Sequence, residues 1–191
     1  MKKYLPWIIL AVVVLWGISA YNGMVNKEQE VNRTWADVES DYQRRMDLIP
    51  NLVNTVKGYA NFEKETLTKV IEARASATQV KIDANNLTPD KIDQFQQAQN
   101  NVSSALSRLL VTVEKYPDLK ANQNFLDLQS QLEGTENRIS VARKRFNEAV
   151  GVYNTAIKRF PGNIIAGIGG FQTKGYFTAA SGADRAPAVT F

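Results

Sequence analysis

The sequence predicts an all-α protein: an N-terminal transmembrane helix, then an antiparallel up-and-down four-helix bundle, then a glycine-rich C-terminal tail. Three observations predict it. Residues 4–20 form an uncharged apolar run. From Met24 to Phe160, apolar residues recur at spacings of three and four, which is one face of a helix. No stretch alternates apolar and polar residues for long, as a half-buried strand would.

Composition removes several kinds of chemistry. The 191-residue chain has no Cys and no His, so disulfides, thiolate nucleophiles, Cys/His zinc sites and Ser-His-Asp triads are excluded. The net charge of +4 comes from basic residues scattered among acidic ones. That balance suits a protein near anionic lipid headgroups and lacks the concentrated basic face that nucleic acid requires. No small-molecule substrate or cofactor is evident.

The first element is "YLPWIILAVVVLWGISA", which at 1.5 Å per residue spans roughly 25 Å, just enough for a bilayer core. Pro6 sits in the first turn, where a helix tolerates it. Tyr4, Trp7, Trp16 and Tyr21 lie towards the two ends, as interfacial aromatics do. A cleaved signal peptide is the rival, with Gly17 and Ser19 near a cleavage point. The length of the run, and the helical pattern that follows at once, favour a retained anchor that contacts the bilayer through residues 4–21. Lys2 and Lys3 before the span nearly balance Lys27 and Arg33 after it. The basic-then-apolar order favours the N-terminus inside and the bundle outside.

The first soluble helix carries Met24, Val31, Trp35, Val38 and Tyr42 on one face, and the soft Asn22-Gly23 break lets it continue from the span. A corner is expected next, in "YQRRMDLIPNLV". Arg44 and Arg45 would complement the carbonyl end of one helix, Asp47 would cap the next, and Pro50 would fall in its first turn. A kink in one continuous helix is the alternative. The second helix carries Leu48, Leu52, Val56, Leu67, Val70 and Ala77 and fades before Asn85-Asn86. Thr88-Pro89 reads as the start of a third helix that stops at Pro117, and a fourth runs from Phe125 to Phe160, stopping at Pro161-Gly162. Narrow near-heptad stripes of this kind gain stability by packing against one another.

Polar residues interrupt the stripes at Glu63, Arg74, Gln99 and Glu136, with Arg143 one place off. A carboxylate ion site, a hydrogen-bonded layer that fixes helix register, and exposed bundle ends are the three options. The tail "FPGNIIAGIGGFQTKGYF" has neither the phosphate-loop pattern nor the dinucleotide fingerprint. It is either a loose loop or an apolar element that docks on the bundle flank, the lipid surface or another subunit.

"YNGMV" (21–25), "RRMDLIPNLVNTVKGYANFEKETL" (44–67), "ARASA" (73–77), "RFPGNIIAGIGGF" (159–171) and the terminal "APAVTF" closely resemble the LemA family of bacterial membrane proteins. The resemblance runs from Tyr21 to Phe191 in order, and the Arg-Arg-x-Asp-Leu-Ile-Pro-Asn-Leu-Val run is its most specific part. Phe62 stands where the family usually has His, so no role for a histidine there applies. The resemblance implies one N-terminal span and a soluble four-helix bundle, and it implies no enzyme activity.

The chain therefore divides into a membrane anchor (1–22), a four-helix bundle (23–161) and a Gly-rich tail (162–191). The expected function is a membrane-anchored, non-enzymatic scaffold or adaptor of the cell envelope. The alternative is a structural subunit of a larger membrane protease or transport complex, or a self-assembling membrane protein. Candidate partner-binding residues are Arg44, Arg45, Phe171, Tyr176, Phe177 and Phe191. The expected partners are the bilayer and either a second copy of the chain or a membrane protein complex.

Overall fold

The computed structural model describes residues 3–59 and 62–178, and among them there are helices and no strands. Helix α1 runs unbroken from Leu5 to Lys57, roughly 80 Å. Pro6 lies in its first turn. From Leu5 to Leu15 every large apolar side chain is more than half exposed. A core helix would bury such a surface; its length and apolar composition suggest single-pass membrane anchoring. Beyond Met24 one face of α1 turns inwards through Val31, Trp35, Val38, Tyr42, Met46, Ile49, Leu52, Val53 and Val56.

The corner expected at Arg44–Pro50 is absent, and α1 passes straight through Pro50. Proline has no N–H for the carbonyl four residues back. That carbonyl belongs to Met46, and the Arg74 Nε–H donates to it at 2.9 Å. A side chain from the next helix thus replaces the missing bond, while Ile49 and Leu52 hold the segment in the core. Asp47 caps nothing: it is exposed and accepts from Gln43 Nε2 at 2.7 Å. The chain turns after Gly58 instead, where buried Phe62 packs on Tyr116 with ring centroids 5.0 Å apart.

Helix α2 (Lys64–Gln79) returns for only about half the length of the bundle. A loop follows with a 3-10 turn at Ala84–Asn86, where the Asp83 side chain accepts from the Asn85 N–H. Helix α3 (Pro89–Val113) starts as Thr88-Pro89 predicts, and a single turn, α4 (Pro117–Lys120), follows it. Helix α5 (Gln123–Lys158) begins where Asn122 accepts from the Phe125 N–H at 3.1 Å. The four long helices alternate in direction, with α1 packed most closely on α5 and α2 on α3. A sixth helix, α6 (Gly162–Gly169), lies within the Gly-rich segment that the sequence reads either as a loose loop or as a docked apolar element.

The core falls into two clusters. The one nearer the anchor holds Trp35, Tyr42, Phe95, Phe146, Tyr153 and Phe177. The one farther away holds Ile49, Leu52, Val56, Leu67, Val70, Val102 and Leu109. Arg45 lies between them.

Candidate functional site

The Gly-rich segment is a strap laid along the bundle. At the end of α6 Gly170 takes φ 72°, and the Phe171 N–H donates back to Ala166 O at 3.0 Å. This is the Schellman closure, which reverses the chain with a residue in the left-handed region. Residues 172–178 then run without helix between α5 and the start of α3.

An extended backbone next to a core needs a partner for every N–H and C=O. Three side-chain amides supply them in pairs. Asn154 donates to Lys174 O at 2.9 Å and accepts from Lys174 N at 3.0 Å. Asn147 does the same for Phe177, at 2.8 and 2.9 Å. Gln96 does so for Thr178, at 2.9 and 3.0 Å. The spacing explains the register. Asn147 and Asn154 are two helical turns apart, roughly 10.5 Å. Lys174 and Phe177 are three extended residues apart, roughly 10 Å, running the opposite way. On the strap's other side the Gly175 N–H donates to Leu87 O at 2.8 Å. A Cβ at Gly175 would stand 2.7 Å from Pro89 Cα, so only glycine lets the strap come this close.

Two side chains anchor the strap. Phe177, 5% exposed, stacks on Trp35 at 6.2 Å and meets Phe146 edge-on at 5.5 Å. The Arg143 guanidinium lies over its ring at 4.8 Å. Lys174 is equally buried and pairs with Glu28 of α1 at 2.9 Å. The Tyr153 hydroxyl donates to Gln172 O at 2.9 Å. Burial, then the charge of Glu28, push that phenol up to about 12.

The second polar feature is the layer around Arg45, whose side chain is 1% exposed. It donates to Glu136 Oε1 at 2.6 Å, to Ser103 Oγ at 2.8 Å and to Gln99 Oε1 at 2.5 Å. Its guanidinium also lies 5.0 Å from the centre of the Tyr42 ring. The layer ties α1, α3 and α5 together at one level. Among the described residues no group of three His, Cys, Asp or Glu side chains could hold a metal ion. Gln99 and Glu136 belong to this hydrogen-bonded layer, whereas Glu63 sits at an exposed end facing Lys115 at 3.7 Å.

The structure scatters the six residues singled out from sequence. Arg44 is exposed, while its neighbour Arg45 is sealed inside the bundle, where an external partner cannot reach it. Phe171 is half-buried on Tyr21, with ring centroids 5.4 Å apart. Tyr176 is exposed, and Phe177 is a core residue. Phe191 lies outside the described residues. The amides Gln96, Asn147 and Asn154 went unread, although Asn147 and Asn154 each follow a stripe aromatic, Phe146 and Tyr153. Chemically, the groove is built to hold an extended peptide: amides read its backbone, an aromatic box takes one ring, and Glu28 takes one cation.

Residues 34–191 match the model of the LemA family. Protein LemA of Metamycoplasma hominis is 23% identical over 145 residues, covering 76% of this chain and 63% of that relative. The chain thus spans less than two thirds of that relative's length. Magnetosome protein MamQ of Magnetospirillum gryphiswaldense is 25% identical, covering 89% of this chain and 68% of its own. Magnetosome protein MamQ 2 of Paramagnetospirillum magneticum matches to the same extent, 25% identical over 89% of this chain and 68% of its own.

Proposed function

The chain belongs to the LemA family, and from that premise we propose that it is a membrane-anchored, non-enzymatic scaffold or adaptor of the bacterial cell envelope. The N-terminus lies on the cytoplasmic side of the inner membrane and the bundle on the outer side. The observation that carries this reading is the strap groove. Among the described residues, its side-chain amides are spent on holding a peptide backbone. A groove that holds residues 172–178 in its own chain offers the same contacts to a like segment from a partner.

The relatives named magnetosome proteins favour a second reading, a subunit of a larger membrane assembly or a self-assembling protein. One experiment addresses both. A fluorescent peptide of residues 171–178 is titrated into the full chain carrying Phe177→Ala in mild detergent, and the particle mass is measured by light scattering. Saturable binding that disappears when Asn147 and Asn154 are also changed to Ala supports the adaptor groove. Absence of binding in a folded chain overturns it. A mass that is a multiple of 21.3 kDa, once detergent is subtracted, favours self-assembly.

A further inference from the structure

Helix α6 packs on the stretch of α1 where the apolar run ends. A Cβ at Gly17 would lie 3.6 Å from Ile165 Cδ1. A Cβ at Gly169 would lie 3.0 Å from the Tyr21 ring, and one at Gly162 would lie 3.0 Å from Met24 Cε. Ala166 is buried in this contact. Away from it the surface is apolar: Phe160 is 75% exposed, Ile164 54% and Ile168 83%. No charged residue occurs between Arg159 and Lys174. Lys158 and Arg159, both exposed, immediately precede the segment.

We propose that α6 is a second membrane contact, its exposed Ile164 and Ile168, with Phe160 in the turn just before the helix, seated in the acyl-headgroup boundary beside the point where α1 leaves the bilayer. The occupant is lipid because the face continues the exposed apolar surface of the anchor at the same level. A short apolar helix edged by basic residues has the make-up of an interfacial element, and Lys158 and Arg159 stand where anionic headgroups would be. An apolar surface this concentrated is otherwise a partner site. The inference rests on the reading of residues 4–21 as a membrane span.

The native chain has no Cys, so single labelling sites are free of background. Full-length chains carrying Val13→Cys, Ile168→Cys or Val111→Cys are labelled with nitrobenzoxadiazole and reconstituted into phosphatidylcholine–phosphatidylglycerol vesicles. Val13 reports the anchor, and Val111, 68% exposed at the far end of α3, reports water. The expected result is blue-shifted emission at positions 13 and 168, quenched by doxyl-lipid and not by iodide, with the opposite pattern at 111. Iodide quenching at 168 with lipid quenching at 13 overturns the α6 contact and leaves the anchor standing. Iodide quenching at both overturns the anchor and the α6 contact with it. Position 168 shielded from both quenchers shows a second copy over the face and also overturns the proposal.

Discussion

The two halves of the bundle close their fourth wall by different means. Far from the anchor, helix α2 lies against aliphatic residues such as Leu52, Val56, Val102 and Leu109. Near the anchor α2 has ended, and the strap lies against aromatics instead. A helix satisfies its own backbone, so its neighbours can be purely apolar. An extended segment cannot, so Gln96, Asn147 and Asn154 stand among the aromatic rings. The secondary structure of the wall thus dictates the chemistry of the residues facing it. The half built this way holds its segment through paired amide bonds, whereas the distal half relies mainly on packing, with Arg74 bonding across to Met46 O.

The sharpest way to break the contrast is Phe177→Ala. Emptying the aromatic box should cost about 4 kcal/mol, the range for a buried Phe truncated to Ala. Urea melts would measure the loss, and limited proteolysis should then cut the strap between residues 172 and 178 first. Equal cutting in the native chain would show that the strap is not held by its anchor.

A smaller effect is expected at the boundary between the halves. Arg45→Ala removes the cation that Glu136 and Gln99 face and should cost about 3 kcal/mol, the low end for breaking a buried pair, because Glu136 is half in water. Arg45→Met should recover most of that loss. The Arg45 Nε–H finds no acceptor among the described residues, so the native layer already carries an unpaired donor. If Met were as damaging as Ala, the layer would be contributing stability as well as register.

The smallest effect is a pH dependence in the half near the anchor. Tyr153 has its phenol raised from 10.0 to about 12, and burial raises that of Tyr42 as well. A raised folded-state value favours the neutral phenol in the native chain. The contribution is therefore complete below pH 10 and is lost as pH climbs through about 12. Melting temperatures between pH 9 and 12 should fall less steeply in Tyr153→Phe, although at neutral pH that variant is weaker by about 1 kcal/mol for the lost bond to Gln172. Parallel curves would assign the alkaline loss to other groups.

The sequence showed what depends on neighbours a few residues away. The stripes, the Thr88-Pro89 start and the soft Asn22-Gly23 join are local patterns, and each stands in the structure. The corner was misplaced because the compensation for Pro50 comes from Arg74, on another helix. Reading Arg45 as a helix-end cation followed from that misplaced corner; at a mid-helix position its inward direction would have pointed to the layer. The sequence left open whether the tail is loose or docks on the bundle flank; its register was hidden for the same reason, because Lys174, Phe177 and Thr178 meet partners 20, 30 and 82 residues away.

Because α1 continues through Pro50 unbroken, the stretch from Met24 to Lys57 is a single helical rod of roughly 50 Å. With residues 4–21 read as a membrane span, the near end of that rod meets the lipid. Spans tilt when bilayer thickness changes, and a ten-degree tilt would swing the far tip by roughly 9 Å on a lever of that length. On that reading, local thinning or thickening of the bilayer would move the distal corner around Phe62 sideways.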